Sequence, residues 1–208
     1  DGSLWAFGAG GSGRLGDGNT TNRASLVKVM DGNVTQVAAY SDHVAVLKED
    51  GSLWTFGKNS YGQVGSGTTE NQLIPYQVET SGVLQVAVGV SFTAYVKQDG
   101  SLWISGFAQS GIFNKTNLLT PEKVVDGGVR QVATGRNHIL YLDENGSVWG
   151  VGESNSGQLG IPGGFFKQPF KMIESGVAQV VAGHYFSIIR MLDGRVLSYG
   201  SNSHGQLG

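Results

Sequence analysis

The 208-residue sequence contains no cysteine, which excludes disulfide bonds, thiolate catalysis and cysteine-ligated zinc. No segment approaches the roughly 20 consecutive apolar residues of a membrane-spanning helix, so we expect no membrane span. Charged residues make up only 14% of the chain, and the formal net charge is −2. No two Lys or Arg residues are adjacent, so the sequence has no run of basic residues that would bind a phosphate backbone. We therefore expect no nucleic-acid partner.

The missing cysteines fit both a reducing cytosol and the outside of a bacterial cell. Of these compartments, we expect an extracellular or cell-surface bacterial location rather than the cytoplasm.

Helical periodicity is also missing, whereas glycine is abundant. Glycine accounts for 34 of 208 residues, more than double its usual share of about 7%. It interrupts every window in which apolar residues could recur at helical spacing. The 39% apolar content is nevertheless too high for a disordered chain. We therefore expect an all-β fold with many turns.

A five-residue motif recurs along the whole chain at spacings of 49, 49, 46 and 48 residues. It begins at Asp1, Asp50, Asp99, Asn145 and Asp193, and its usual form is Asp-Gly-Ser-Leu-Trp. Counting from that first residue, the seventh and the twelfth following residues are glycine in all five copies. A period of this length indicates a repeat architecture. We place the repeats approximately at 1–49, 50–98, 99–144 and 145–192, with a partial repeat at 193–208.

Each motif lies between two short apolar segments, such as 44–47 and 53–56. An Asp-Gly or Asn-Gly pair in this position favours a β-hairpin, and we predict a two-residue type I′ turn with positive φ at both residues. Four short strands fit each repeat, which predicts β-propeller blades of four antiparallel strands in a single propeller segment, 1–208.

The motif resembles the repeat of the regulator of chromosome condensation family. The resemblance rests on the Asp-Gly-Ser-Leu-Trp turn, the glycine seven residues on and the Gly-Gln-Leu-Gly ending, which is seen in 145–160 and 193–208. It implies a ring of usually seven blades. It also implies protein recognition, since the family includes a nucleotide exchange factor, an ultraviolet-B photoreceptor and a β-lactamase inhibitor protein.

Four repeats and a fraction are too few for such a ring. Residues 193–208 repeat the same part of the motif that 1–16 supply, so the two ends cannot complete each other. We therefore expect either a partial ring belonging to a longer chain or a ring completed by another chain, including a homo-oligomer.

The conspicuous single residues have structural interpretations. His43 and His138 occupy a position that is Phe in the two other full repeats, so we interpret both as packing residues. The tryptophan of each motif is interpreted as core. The Gly-x-Gly-x-x-Gly at 8–13 lacks the following helix that a dinucleotide site needs. We expect no catalytic, cofactor or metal site.

Loops that differ between repeats are the places where a binding site would lie, because successive blades present them side by side. Aromatic residues and Arg dominate the energy of protein interfaces. On this basis the predicted partner-binding residues are Tyr61, Phe107, Arg136, His184 and Tyr185.

Three functions compete. The first is a non-catalytic protein-recognition scaffold with a protein partner. The second is a guanine nucleotide exchange factor for a small GTPase. The third, an enzyme or enzyme-associated surface module, has only carboxylates such as Asp42 and Glu153 to support it, and we expect that the protein is not an enzyme.

Overall fold

A computed structural model describes residues 1–107 and 117–208 and contains 17 strands and one 3₁₀ turn, Gly11–Gly13. The strands form five antiparallel sheets, each a meander of consecutive strands. Sheet 1 comprises β1 (Leu4–Gly8) and β2 (Arg23–Met30). Sheet 2 comprises β3 (Val34–Tyr40), β4 (His43–Lys48), β5 (Leu53–Gly57) and β6 (Gln72–Glu79).

Sheet 3 comprises β7 (Val83–Val88), β8 (Phe92–Lys97), β9 (Leu102–Phe107) and β10 (Asn117–Val125). Sheet 4 comprises β11 (Val129–Thr134), β12 (His138–Asp143), β13 (Val148–Glu153) and β14 (Phe165–Ile173). Sheet 5 comprises β15 (Val177–Ala182), β16 (Phe186–Met191) and β17 (Val196–Gly200).

The prediction of all-β blades with four antiparallel strands is confirmed in sheets 2, 3 and 4. Sheet 1 has two strands and sheet 5 has three, so the segment forms a partial β-propeller. The sheets are out of phase with the sequence repeats, because the Asp-Gly motif forms the turn between the second and third strands of a sheet. Each repeat thus supplies the last two strands of one sheet and the first two of the next. Within the described residues no helix is long and apolar enough to cross a membrane.

The hairpin turn differs from the predicted type I′ turn. In sheet 2, Gly51 N donates to Lys48 O at 3.0 Å and Lys48 N donates to Ser52 O at 3.1 Å. Gly51 has a φ of +74°, whereas Asp50 is not among the described residues with positive φ. This is a type I turn whose last residue is the left-handed Gly51, and it makes a three-residue loop, 49–51, instead of a two-residue one. The Asp50 side chain stabilises the turn by accepting the Ser52 N–H at 2.9 Å.

The core lies between neighbouring sheets. One cluster joins Phe92 and Ile104 of sheet 3 to Ile139 and Tyr141 of sheet 4, all of them nearly inaccessible to water. Similar clusters join sheets 2 and 3 and sheets 4 and 5. The first strands β3, β7, β11 and β15 also contact one another, which makes them the inner strands of the propeller. Each of sheets 3 and 4 thus buries apolar side chains against the sheet before it and the sheet after it.

A glutamine on each of the inner strands β3, β7 and β11 links its sheet to the following sheet. Gln131 Nε2 donates to Val180 O at 2.9 Å, and Gln131 Oε1 accepts the Val180 N–H at 3.1 Å. Gln36 makes the same pair of bonds to Val86, and Gln85 accepts the Val132 N–H. The equivalent Gln179 is exposed and accepts a hydrogen bond from Arg190 Nε of its own sheet, at 3.4 Å. The glutamine clasp therefore repeats from sheet 2 to sheet 5.

The tryptophans are less buried than the sequence interpretation held. Trp54, Trp103 and Trp149 are partly buried, and Trp5 in sheet 1 is 49% exposed. Each indole N–H has a polar partner close to the turn, as in the 3.0 Å bond from Trp54 Nε1 to Ser52 Oγ. A lysine lies over each ring, with Lys97 Nζ 4.6 Å from the Trp103 centroid. The tryptophans thus cover the sides of the sheets instead of filling their centre.

Candidate partner-binding site on the loop face

The two sets of variable loops lie on the same face of the propeller. Main-chain bonds join each inner hairpin to the start of the outer loop of its own sheet. In sheet 3, Phe107 N donates to Ser91 O at 2.8 Å, and in sheet 4 Glu153 N donates to Asn137 O at 2.8 Å. We call this surface the loop face; it comprises residues 41–42, 58–62, 90–91, 107, 136–137, 153–156, 184–185 and 201–205. All five predicted binding residues lie on it.

Three of the five predicted residues form one contacting group with a fourth that the sequence did not indicate. Arg136 NH1 lies 3.1 Å from His184 Nε2 and also donates to Tyr185 Oη. Tyr40 Oη lies 2.6 Å from His184 Nδ1. We call Tyr40, Arg136, His184 and Tyr185 the Arg136 cluster. It brings together side chains from sheets 2, 4 and 5.

The guanidinium fixes the tautomer of His184. A guanidinium group is always protonated and can only donate, so Nε2 of a neutral His184 must accept. The ring proton is then on Nδ1 and is donated to Tyr40 Oη. Tyr40 and Tyr185 therefore each use their oxygen as an acceptor within the cluster, and both phenolic protons are left to be donated elsewhere.

The same surroundings keep His184 neutral. Burial, followed by the positive charge of Arg136, lowers the pKa of His184 below its ordinary value of 6.5. Burial raises the pKa of the Tyr40 hydroxyl, which therefore keeps its proton at neutral pH. The cluster holds one positive charge, on Arg136, with neutral hydrogen-bonding groups around it.

The main chain supports the cluster by linking three inner hairpins. Val90 N donates to Arg136 O at 3.1 Å, and Arg136 N donates to His184 O at 3.0 Å. These bonds hold the hairpins of sheets 3, 4 and 5 side by side, so the position of the Arg136 side chain is set by backbone that is itself fixed.

Tyr40 occupies a position that is glycine in the other inner strands. The equivalent residues are Gly89, Gly135 and Gly183. A Cβ atom added at Gly135 would lie only 2.1 Å from Cε1 of His138, so the ring three residues on excludes a side chain there. In sheet 2 the strands continue to the Tyr40–His43 pair, and Ser41 takes a positive φ of 54°. This tighter hairpin accommodates the Tyr40 side chain. An alignment of the repeats would have identified Tyr40, because it is the position where one repeat departs from glycine.

Tyr61 and Phe107 form a second group on the loop face. Their ring centroids are 4.7 Å apart at an angle of 41°, and both side chains are partly exposed. Tyr61 follows β5 and Phe107 ends β9, so the pair bridges sheets 2 and 3. The rest of the predicted loop, residues 108–110, lies outside the described residues.

The acidic side chains of the loop face are already engaged. Asp42 lies 2.7 Å from Arg14 NH2 and 3.9 Å from Lys58 Nζ. Glu153 accepts hydrogen bonds from Asn137 and Asn155, each at 2.9 Å, one on either carboxylate oxygen. Neither carboxylate is therefore positioned as a free general base. Among residues 1–107 and 117–208, no three His, Asp or Glu side chains are grouped to hold a metal ion.

The two packing histidines are buried, as predicted. His138 Nε2 donates to Ser187 Oγ at 3.1 Å, and that hydroxyl donates in turn to Gln158 O at 2.7 Å. His43 makes the same contact with Thr93. Burial lowers the pKa of each ring to about 4. Nδ1 of both rings is buried and has no hydrogen-bond partner in the described part of the chain, so a neutral ring is the form that this environment accepts.

Two solved structures share this fold over nearly the whole of this chain. Human WBSCR16 superposes with a TM-score of 0.81 at 24% identity, over 94% of this chain and 56% of that one. Prp20p from Saccharomyces cerevisiae superposes with a TM-score of 0.87 at 20% identity, over 99% of this chain and 55% of that one. The chain thus spans about half the length of either structure. No curated protein sequence matches it.

Family models match most of the sequence. The model described as the regulator of chromosome condensation (RCC1) repeat matches residues 1–47, 50–96 and 145–189. A second model of the same description matches residues 34–63, 129–158 and 177–206. These matches cover more than half of the chain and include the recurring Asp-Gly motif, and the chain belongs to the RCC1 repeat family.

Proposed function

We propose that this chain is a non-catalytic protein-recognition scaffold whose partner binds the loop face. The observation that supports this most directly is that the five predicted residues, drawn from four loops, form two contacting groups on one surface.

The composition of these groups is that of an interface centre. Tyrosine and arginine are enriched among residues whose truncation weakens protein complexes most. Their positions are already restrained by hydrogen bonds and ring contacts, so binding would order few additional side chains. The low net charge of −2 favours a partner that is recognised by local contacts rather than by long-range attraction.

Relatives of the same fold are described in complexes with proteins. Prp20p has been described with its binding properties to Gsp1p and histones, and Kap60 bound to yeast RCC1 (Prp20) has been crystallised. Likeness at 20% identity shows the fold alone, so we carry neither these partners nor nucleotide exchange over to this chain. They support only the general proposal that a protein binds.

Site-specific photo-crosslinking tests the proposal. A crosslinking amino acid at Tyr61 or Tyr185 should capture the same protein from an extract of the source cells. The matched controls, at Asp50 and Asp99 in the turns at the opposite end of the sheets, should not capture it.

The captured protein is then identified, purified and titrated against the chain. Tyr185→Ala and Phe107→Ala should each weaken its binding at least tenfold, a loss typical of central interface residues. A partner that binds the double variant as tightly as the unchanged chain overturns the proposal.

A further inference from the structure

We infer that the Arg136 cluster is a receptor for the side-chain carboxylate of an Asp or Glu residue on the protein partner. This inference rests on the proposed function, because it assumes that the partner meets the loop face, and it adds the chemistry that is recognised there.

The first support is the free edge of the guanidinium. Both hydrogen bonds that the Arg136 side chain makes use NH1, toward His184 and Tyr185, and the guanidinium carbon lies 5.4 Å from the centroid of the Tyr185 ring. Among residues 1–107 and 117–208, neither Nε nor NH2 of Arg136 donates a hydrogen bond. The Nε–NH2 edge presents two parallel N–H groups, which match the two oxygens of a carboxylate in a bidentate pair.

The second support is an unneutralised charge. Arg136 has no acidic partner within the described residues, although two carboxylates share its face. Asp42 is held by Arg14, and Glu153 is occupied by Asn137 and Asn155. An incoming carboxylate would therefore meet a positive charge without having to displace an existing ion pair.

The third support is the direction of hydrogen bonding in the cluster. Because Tyr40 Oη and Tyr185 Oη accept from His184 and Arg136, their own protons can be donated to a ligand. The site thus offers donors only: the free guanidinium edge and two phenolic hydroxyls. Such a set selects an acceptor, and among protein side chains the carboxylate is the one that accepts without donating.

Two other oxyanions fit the site less well. A C-terminal carboxylate is usually captured by main-chain N–H groups, but the N–H groups of Val90 and Arg136 already donate to the carbonyl groups of neighbouring hairpins. A phosphate dianion calls for a second cation, and the nearby cations Arg14 and Lys58 face Asp42. A single side-chain carboxylate matches the one available charge.

Peptide titrations followed by NMR test this directly on the full chain. The probes are the blocked peptides acetyl-Gly-Gly-Glu-Gly-Gly-amide and its Gln counterpart, together with unblocked-C-terminus acetyl-pentaglycine and inorganic phosphate. Binding is followed by the shifts of the His184 ring and Arg136 Nε signals. We expect the dissociation constant of the Glu peptide to be at least tenfold lower than that of the Gln peptide. Arg136→Gln should abolish these shifts, and Arg190→Gln, at an exposed arginine on β16, should leave them unchanged.

Equal binding of the Glu and Gln peptides overturns the inference, as does tighter binding of pentaglycine or phosphate. Tyr185→Phe gives a second test, because it removes one donated proton and keeps the ring; it should weaken the Glu peptide several-fold. If the peptides fail while crosslinking still maps a partner to the loop face, the carboxylate receptor is wrong and the proposed function stands. If crosslinking fails, the proposed function is wrong whatever the peptides show.

Discussion

Tyr40 and His184 are 144 residues apart in the chain, and their side chains meet through a 2.6 Å hydrogen bond between Oη and Nδ1. One comes from the inner strand of sheet 2 and the other from the inner hairpin of sheet 5. Most other links between sheets join immediate neighbours, as the glutamine clasps do. This contact therefore depends on how sheets 2 to 5 are arranged relative to one another. Arg136 determines which of the two side chains donates in it.

The first prediction concerns the tautomer of His184. At neutral pH the ring should carry its proton on Nδ1, because Arg136 donates to Nε2. Arg136→Leu removes that donor, and Tyr40 can then donate to Nδ1, which moves the ring proton to Nε2. Nitrogen-15 shifts of the imidazole distinguish the two forms. A ring that already carries its proton on Nε2 in the unchanged protein contradicts the assignment.

The second prediction concerns the pKa of the same ring. Burial and the Arg136 charge both lower it, so Arg136→Gln should raise the pKa of His184 part of the way back toward 6.5, the burial contribution remaining. Titration of the His184 ring proton by NMR measures the change. Arg190→Gln is the control, and an equal rise in that variant would show that the effect is not local.

The third prediction concerns stability in acid. The folded pKa of His138 is about 4, below its unfolded value of 6.5, so the unfolded chain binds this proton first. The free energy of unfolding should therefore fall by about 3 kcal/mol for this residue as the pH drops from 6.5 toward 4. His43 adds a similar loss for the same reason.

The variant His138→Phe tests this attribution. Phe186 occupies the equivalent position in sheet 5 beside Gly183, as His138 does beside Gly135, and Ser187 keeps its bond to Gln158 O. Urea unfolding at pH 7 and pH 4.5 should show a smaller loss for this variant than for the unchanged protein. His204→Gln, at an exposed loop histidine, serves as the control; equal losses in all three proteins would contradict the prediction.

The fourth prediction concerns the glutamine clasp. Gln131→Leu leaves the main-chain N–H and C=O of buried Val180 without partners, which should cost about 1–3 kcal/mol. Gln179→Leu removes the same side chain from the inner strand that has no following sheet in this segment, and should cost at most about 0.5 kcal/mol. Denaturant unfolding of the two variants compares them, and equal costs would show that the clasp contributes little.

Much of the fold could be predicted because the repeat marks every sheet with the same glycines and the same Asp-Gly turn. The turn type could not, since an Asp-Gly pair suits both a two-residue type I′ loop and a three-residue loop ending in a left-handed glycine. The choice depends on where strands β4 and β5 stop pairing, which is at Leu47 and Leu53, and local sequence does not specify this.

The candidate site was predicted in part for a related reason. Variable loop residues identified Arg136, His184 and Tyr185, but not that they contact one another. Tyr40 was missed because the equivalent residue in the other repeats is glycine, and this position lies just before the variable ones. Tyr40 contacts His184 only because sheets 2 and 5 lie close enough in the folded protein, and the sequence does not give that distance.

The half-repeat offset between sequence and sheets has a consequence for how such genes can change in size. Every boundary between sequence repeats falls inside a sheet, in the turn between its second and third strands. Recombination that adds or deletes one repeat length at these boundaries would join half of one sheet to the equivalent half of another. Each strand would then still find a neighbour of the expected kind, so the number of blades could change without leaving an interior edge exposed.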